Sequence, residues 1–290
     1  MRELLDVYRL RHGAKISSLR LFFYMLFGYA AYVFSADSFS FLPMPIVINA
    51  AIILCGLLYA SALNDYYDFL LLKEKNGISN FLARTNATNK YPFLLIWGPW
   101  AVSLVLFFVL LMYQVTVASL ILLWAAFLLS FLYCAPPVRL KERRILNIIV
   151  PPIGLFLLFF EGFVLLAHPT QFGWSFAIIV FLFAWYLEFL HIVDDAQQKH
   201  EIKRMSISAG MFGLRAIAGT GFFVSLAMSF SYPVFLVSVG AWGVRLLTVF
   251  KIKPAEIIRA RLSLRHSLWS LWDFALFALL GFYRLYAILI

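Results

Sequence analysis

Residues 45–63, PIVINAAIILCGLLYASAL, carry no charge and run straight into Asn64-Asp65-Tyr66-Tyr67-Asp68. A helix that crosses a bilayer takes about 20 mostly apolar residues, and this run has that length. Charged side chains are expensive near hydrocarbon, so acids gathered at the mouth of such a helix need a partner that justifies them. A second acidic cluster, His191-Ile192-Val193-Asp194-Asp195, closes another apolar run at 174–190. Two such clusters facing one cavity suit divalent cations, and through those cations a pyrophosphate.

The whole chain repeats the pattern of the opening segment. Of its 290 residues 63% are hydrophobic and only 13% charged, which excludes an ordinary soluble domain. Apolar runs fall at about 19–34, 45–63, 92–113, 115–133, 145–167, 174–190, 217–232, 234–250 and 268–290. None alternates in the manner of a barrel strand, so the expected fold is an all-α bundle of about nine transmembrane helices, forming one polytopic domain over 1–290. The seventh and eighth runs meet at Ser231-Tyr232-Pro233 with almost no loop.

Basic residues give the expected orientation. With a cytoplasmic N-terminus, Arg9, Arg11, Lys15, Lys73, Lys75, Arg139, Lys141, Arg143, Arg144, Lys199, Lys203, Arg204, Lys251 and Lys253 all fall on the cytoplasmic side, and only Arg284 lies near the other face. The net charge of +10 then serves orientation against anionic lipid and calls for no nucleic acid. The basic N-terminus lacks a signal-peptide pattern, so the first run is expected to stay as an anchor. The two cysteines, Cys55 and Cys134, suit neither a disulfide nor a zinc site. The longest connections, after Asn64 and after His191, follow the acidic clusters and are expected on the cytoplasmic side.

The spacing of the acids matters next. If the second helix continues through Asp68, Asn64 and Asp68 are i, i+4 and Asp65 and Asp68 are i, i+3, which places them on one face. Two carboxylates and an amide oxygen form a hard, oxygen-rich set suited to Mg²⁺, which keeps some waters and takes other ligands from phosphate. A helix end whose polar residues merely meet water fits the same pattern. In the sixth helix Glu188, His191 and Asp195 share a face, with Asp194 adjacent; a solvated helix end running into the charged segment 197–204 is the alternative. A third element, Tyr133-Cys134-Ala135-Pro136-Pro137-Val138-Arg139-Leu140-Lys141-Glu142-Arg143, combines a helix stop with basic residues at the membrane edge. Arg139 and Lys141 there are suited to phosphate oxygens, as a fork and as a point charge. A purely topological role for these charges is equally simple.

These three elements, in this order, resemble the UbiA superfamily of intramembrane prenyltransferases. The family pattern is NDxxDxxxD after the second helix, YxxPPxRLKxR after the fourth and DxxxD after the sixth. The resemblance implies a nine-helix bundle and Mg²⁺ held by Asn64, Asp65, Asp68, Asp194 and Asp195, with Asp68 and Asp195 as the catalytic acids. It implies a prenyl pyrophosphate donor held near Arg139, Lys141 and Tyr133, and a hydrophobic, aromatic or lipid-like acceptor inside the bilayer. Mg²⁺ and the basic groups would neutralise the leaving pyrophosphate, and the allylic cation would meet the acceptor between aromatic walls. A terpene cyclase on the same scaffold, or a non-catalytic isoprenoid-phosphate binding or transport protein, uses the same donor site.

The chain departs from that pattern at two positions. Leu72 stands where the first motif's last acid belongs, and Lys199 where the second motif's last acid belongs. Lys199 is suited to bind phosphate directly in place of a metal, so one Mg²⁺ rather than two is an open expectation. Glu161 and Asp273 lie inside expected spans, where an ionisable group is a functional candidate. Glu161, like Glu188 and His191, is a candidate for the acceptor side or for a structural pairing.

Overall fold

The computed structural model describes residues 43–73, 78–79, 81–82, 90–113, 115–166, 168, 170–197 and 207–251. Seven of its helices are long and apolar enough to cross a membrane, and no strand occurs among the described residues. They are α1 Pro43–Leu72, α2 Lys90–Leu110, α3 Val117–Cys134, α4 Arg144–Val164, α5 Gln171–Gln197, α6 Ile207–Ser229 and α7 Leu236–Lys251, with short 3-10 turns at Leu140–Glu142 and Pro233–Phe235. The chain is an all-α, integral multi-pass membrane protein. The spans expected at 19–34 and 268–290, with Asp273, lie outside the described residues.

The described residues divide into two compact units, 43–143 with 157–168, and 144–156 with 170–251. Helix α4 contributes its first part to the second unit and its last part to the first.

In the first unit α1 packs on α2 and α3. Ile52, Ile53, Leu57, Leu110 and Leu123 form one buried cluster. Tyr59, Ala62, Leu63, Ile96, Cys134 and Ala135 form another beside the Asn64 segment. Large apolar side chains on the outside of these helices, such as Val105, Phe108, Val117 and Ile121, are exposed, as hydrocarbon surroundings require. Nothing between Leu63 and Leu72 breaks a helix, so α1 runs on through the polar segment to Leu72. Lys73 follows in the left-handed region at φ 56°, the backbone state in which many helices stop. Thr116 caps α3 by accepting a bond from the Ser119 amide at 3.1 Å, and its hydroxyl donates to the Val164 carbonyl. Pro136-Pro137 ends α3, as expected, and the Ala135 amide closes the last turn onto Phe131 O at 2.8 Å.

In the second unit α5 packs on α6, and α6 on α7. Glycines set the closeness of these contacts. A Cβ at Gly213 would lie 2.4 Å from the Phe189 ring, and one at Gly221 2.3 Å from the Trp242 ring. Without a hydrophobic drive between helices in lipid, such small residues let backbones approach and pack. Helix α6 begins at Ile207, well before the expected 217. Backbone hydrogen bonding continues through Ser208, Gly210 and Arg215 regardless of hydropathy, and Arg215 finds a partner on α7. Its Nε donates to Val249 O at 3.4 Å, and its guanidinium lies 5.3 Å from the Phe250 ring centre. The short link between α6 and α7 at residues 230–232 matches the tight connection read from the sequence.

Candidate functional site

Because α1 stays helical through Asp68, Asn64 and Asp68 stand one turn apart, and the Asn64 Nδ2 amide donates to Asp68 Oδ2 at 3.0 Å. Asp65 and Asp68 are both buried, with 2% and 7% exposure. A carboxylate so placed demands compensation. It comes from the segment after α3. Arg139 Nη2 donates to Asp68 Oδ1 at 2.9 Å. Lys141 Nζ bonds the same oxygen and donates to Asn64 Oδ1 at 2.7 Å. Cys134 Sγ stands 3.8 Å from Asn64 Oδ1.

The backbone bends to bring both cations in. Pro136-Pro137 turns the chain away from α3, and Arg139 then adopts φ 37°, ψ 66°, the left-handed region that a branched-free but non-glycine residue enters only at a cost. That conformation starts the turn Leu140–Glu142 and brings Lys141 back over α1. Arg139 is buried, and its Nη1 lies 3.1 Å from Glu142 Oε1. Its Nε has no hydrogen-bond partner among the described residues. Glu142, which steadies the guanidinium from the exposed side, was not singled out by sequence reasoning. Its i, i+3 spacing from Arg139 was the available signal.

The structure therefore joins Asn64, Asp68, Arg139 and Lys141 into one cluster, with Tyr133 packed against the neighbouring apolar core. No group of three or more His, Cys, Asp or Glu side chains is placed to hold a metal among the described residues. Asn64 Oδ1 and Asp68 Oδ1 nevertheless converge on one cation, the Lys141 ammonium, so a positive ion fits at that point. Leu72, four residues beyond Asp68, ends α1 about half exposed.

In the second unit, α5 stays helical to Gln197 and so carries Glu188, His191, Asp194 and Asp195 on its last turns. Glu188 is buried. The side chains of His191, Asp194 and Asp195, and all of Lys199, lie outside the described residues. Glu161 on α4 is fully buried in the first unit: Asn49 Nδ2 donates to one carboxyl oxygen at 2.9 Å and the Ser119 hydroxyl to the other at 2.6 Å. It ties α4 to α1 and α3. Arg245, also unforeseen, is buried on α7 with its guanidinium 4.5 Å from the Phe183 ring centre and 4.8 Å from that of Trp242.

Fold and cluster together define a multi-pass helical membrane protein with a mixed acidic and basic site at the end of one spanning helix. No protein-family model matches the chain, and no curated protein matches it in sequence. Solved structures do match. A UbiA homolog from Archaeoglobus fulgidus bound to DMAPP and Mg²⁺ superposes with a TM-score of 0.65 and 13% identity, over 95% of this chain and 99% of that one. The same homolog bound to GPP and Mg²⁺ gives 0.65 at 12% identity over the same shares. The apo structure of a UbiA homolog from Aeropyrum pernix K1 gives 0.57 at 12%, over 93% and 98%. The chain has the UbiA fold.

Proposed function

We propose that the protein is a member of the UbiA superfamily that transfers a prenyl group from its pyrophosphate to an aromatic or lipid-like acceptor within the bilayer, with Mg²⁺ as cofactor. The observation that carries this reading is the convergence of Asn64, Asp68, Arg139 and Lys141 at the end of an apolar helix. A soluble anion and a membrane-borne tail would meet there. Solved UbiA homologs bound to DMAPP or GPP with Mg²⁺ support the donor class.

The residues present fit a hard divalent cation. Asn64 Oδ1 and the carboxylates of Asp65 and Asp68 are oxygen donors on adjacent turns, and the remaining positions go to water and phosphate oxygens. When bound, Mg²⁺ supplies Lewis-acid neutralisation of pyrophosphate charge. Arg139, anchored by Asp68 and Glu142, presents a fixed guanidinium to phosphate oxygens, and Lys141 reaches on a flexible stem. Tyr133 is assigned to the same anion. Together these donors stabilise the charge that develops as the C–O bond breaks. His191 and Glu188 are assigned to the acceptor side. The bilayer and surrounding aromatic side chains exclude water from the cation.

The test is pyrophosphate release by purified protein in detergent from geranyl, farnesyl and geranylgeranyl pyrophosphates, with and without Mg²⁺. Release that needs Mg²⁺ supports the proposal, and products formed only with added acceptor select transfer over cyclisation. Binding of the donor without release from any of the three would replace it with a non-catalytic isoprenoid-phosphate binding protein.

A further inference from the structure

Lys141 occupies the place where a cation bridges Asn64 and Asp68. Its ammonium meets Asn64 Oδ1 at 2.7 Å and is ion-paired with Asp68 Oδ1. Asp68 Oδ1 also accepts from Arg139, and Oδ2 accepts from Asn64, so both carboxylate oxygens are engaged. Lys141 and Asp68 side chains are each only 10% exposed, so this pair is not a water-screened surface contact. Asp68 is paired with both Arg139 and Lys141, and Arg139 also with Glu142. A divalent ion bonded to Asn64 Oδ1 and Asp68 Oδ1 would stand where the Lys141 ammonium stands, against a like charge, so the two do not share that point. Leu72, one turn beyond Asp68 on α1, adds no carboxylate.

We propose that Lys141 is a tethered cation that holds the metal position of the Asn64–Asp68 motif, so that this motif takes up a divalent ion only when Lys141 swings away. The inference rests on the functional reading above and deepens it. Arg139 is fixed in a buried, left-handed backbone position with two acidic partners. Lys141 hangs on a four-carbon stem and is the group free to move. An arriving pyrophosphate offers Lys141 new anionic oxygens, and its departure uncovers Asn64 Oδ1 and Asp68 Oδ1. Metal and anion binding are then coupled in the same direction. Substrate and metal would enter as partners, with idle divalent binding suppressed.

The experiment is binding of Mn²⁺ alone, read by electron paramagnetic resonance on the full chain in detergent. Wild type is compared with Lys141→Gln, Lys141→Met, Lys141→Arg and the double variant Lys141→Gln/Asp68→Asn, each first checked for a monodisperse elution and a wild-type melting profile. The expected result is Mn²⁺ affinity raised about tenfold or more in both neutral variants. It should stay low in Lys141→Arg, and the gain should vanish in the double variant. Unchanged or weaker Mn²⁺ binding in the folded neutral variants overturns the proposal, as does tight binding by wild type. Wild-type pyrophosphate release measured in parallel separates the two levels. Loss of the prenyl-transfer reading appears as no release, whereas loss of this inference appears as an unchanged Mn²⁺ isotherm.

Discussion

Arg139 Nη2 meets Asp68 Oδ1 at 2.9 Å, linking residues 71 positions apart across the turn that follows α3. Both partners are buried, so each is the other's main compensation for lost hydration. Among the described residues, Asp68→Ala would leave Arg139 with Glu142 and Lys141 with Asn64. Removing one partner of a buried pair costs about 3 kcal/mol or more, and the same change removes an oxygen donor from the proposed site. Thermal unfolding in detergent should show the lower stability. Pyrophosphate release should fall by about 100-fold or more. Retention of wild-type release in a folded Asp68→Ala protein would separate this cluster from the chemistry.

Arg139→Lys keeps the charge and the left-handed backbone, since lysine is no better suited to φ 37° than arginine. It loses the planar fork that reaches Asp68 and Glu142 at once. Affinity for inorganic pyrophosphate should drop about tenfold, while the melting temperature falls less than in Asp68→Ala. Calorimetric titration of pyrophosphate into both variants checks the ordering.

Much of this architecture is legible in one dimension. Hydropathy gives every described span, and helical spacing gives the shared face of Asn64 and Asp68, because α1 has nothing to break it before Leu72. Helix starts are less legible. Polar residues and Arg215 hid the beginning of α6, since a charge that finds a carbonyl and a ring on the next helix leaves no apolar signal. Contacts between helices are not legible at all. The Asn49–Glu161 bond spans 112 positions, and nothing local to Glu161 distinguishes it from an acid that works on a ligand. The likeness of YCAPPVRLKER to a known motif located Arg139 and Lys141, but not their seat on Asp68.

Glu161 has both oxygens engaged by side chains from α1 and α3, which gives it a joining role within its unit. Glu161→Ala strands the Asn49 amide and the Ser119 hydroxyl in a buried place. Interhelical bonds of this kind are worth about 1–2 kcal/mol in total, so the melting temperature should fall while pyrophosphate affinity stays at the wild-type value. A folded variant of unchanged stability that binds donor but makes no product would assign Glu161 to the acceptor instead.

Gly221 and Trp242 make the sharpest packing demand in the second unit. A Cβ at 221 would stand 2.3 Å from Trp242 Cδ2, closer than atoms tolerate. The indole cannot simply turn aside. It is fully buried, meets Tyr186 edge-on with centroids 5.9 Å apart, and carries the Arg245 guanidinium over its ring. Gly221→Ala should therefore destabilise the protein by about 1–3 kcal/mol through overpacking, despite alanine's better helix propensity. Gly240 is the internal control, because a Cβ there meets nothing within 4 Å. Gly240→Ala should be neutral or stabilising by up to about 1 kcal/mol. Unfolding of the two variants under one detergent condition decides it: equal effects would mean that the α6–α7 approach is not set by this glycine.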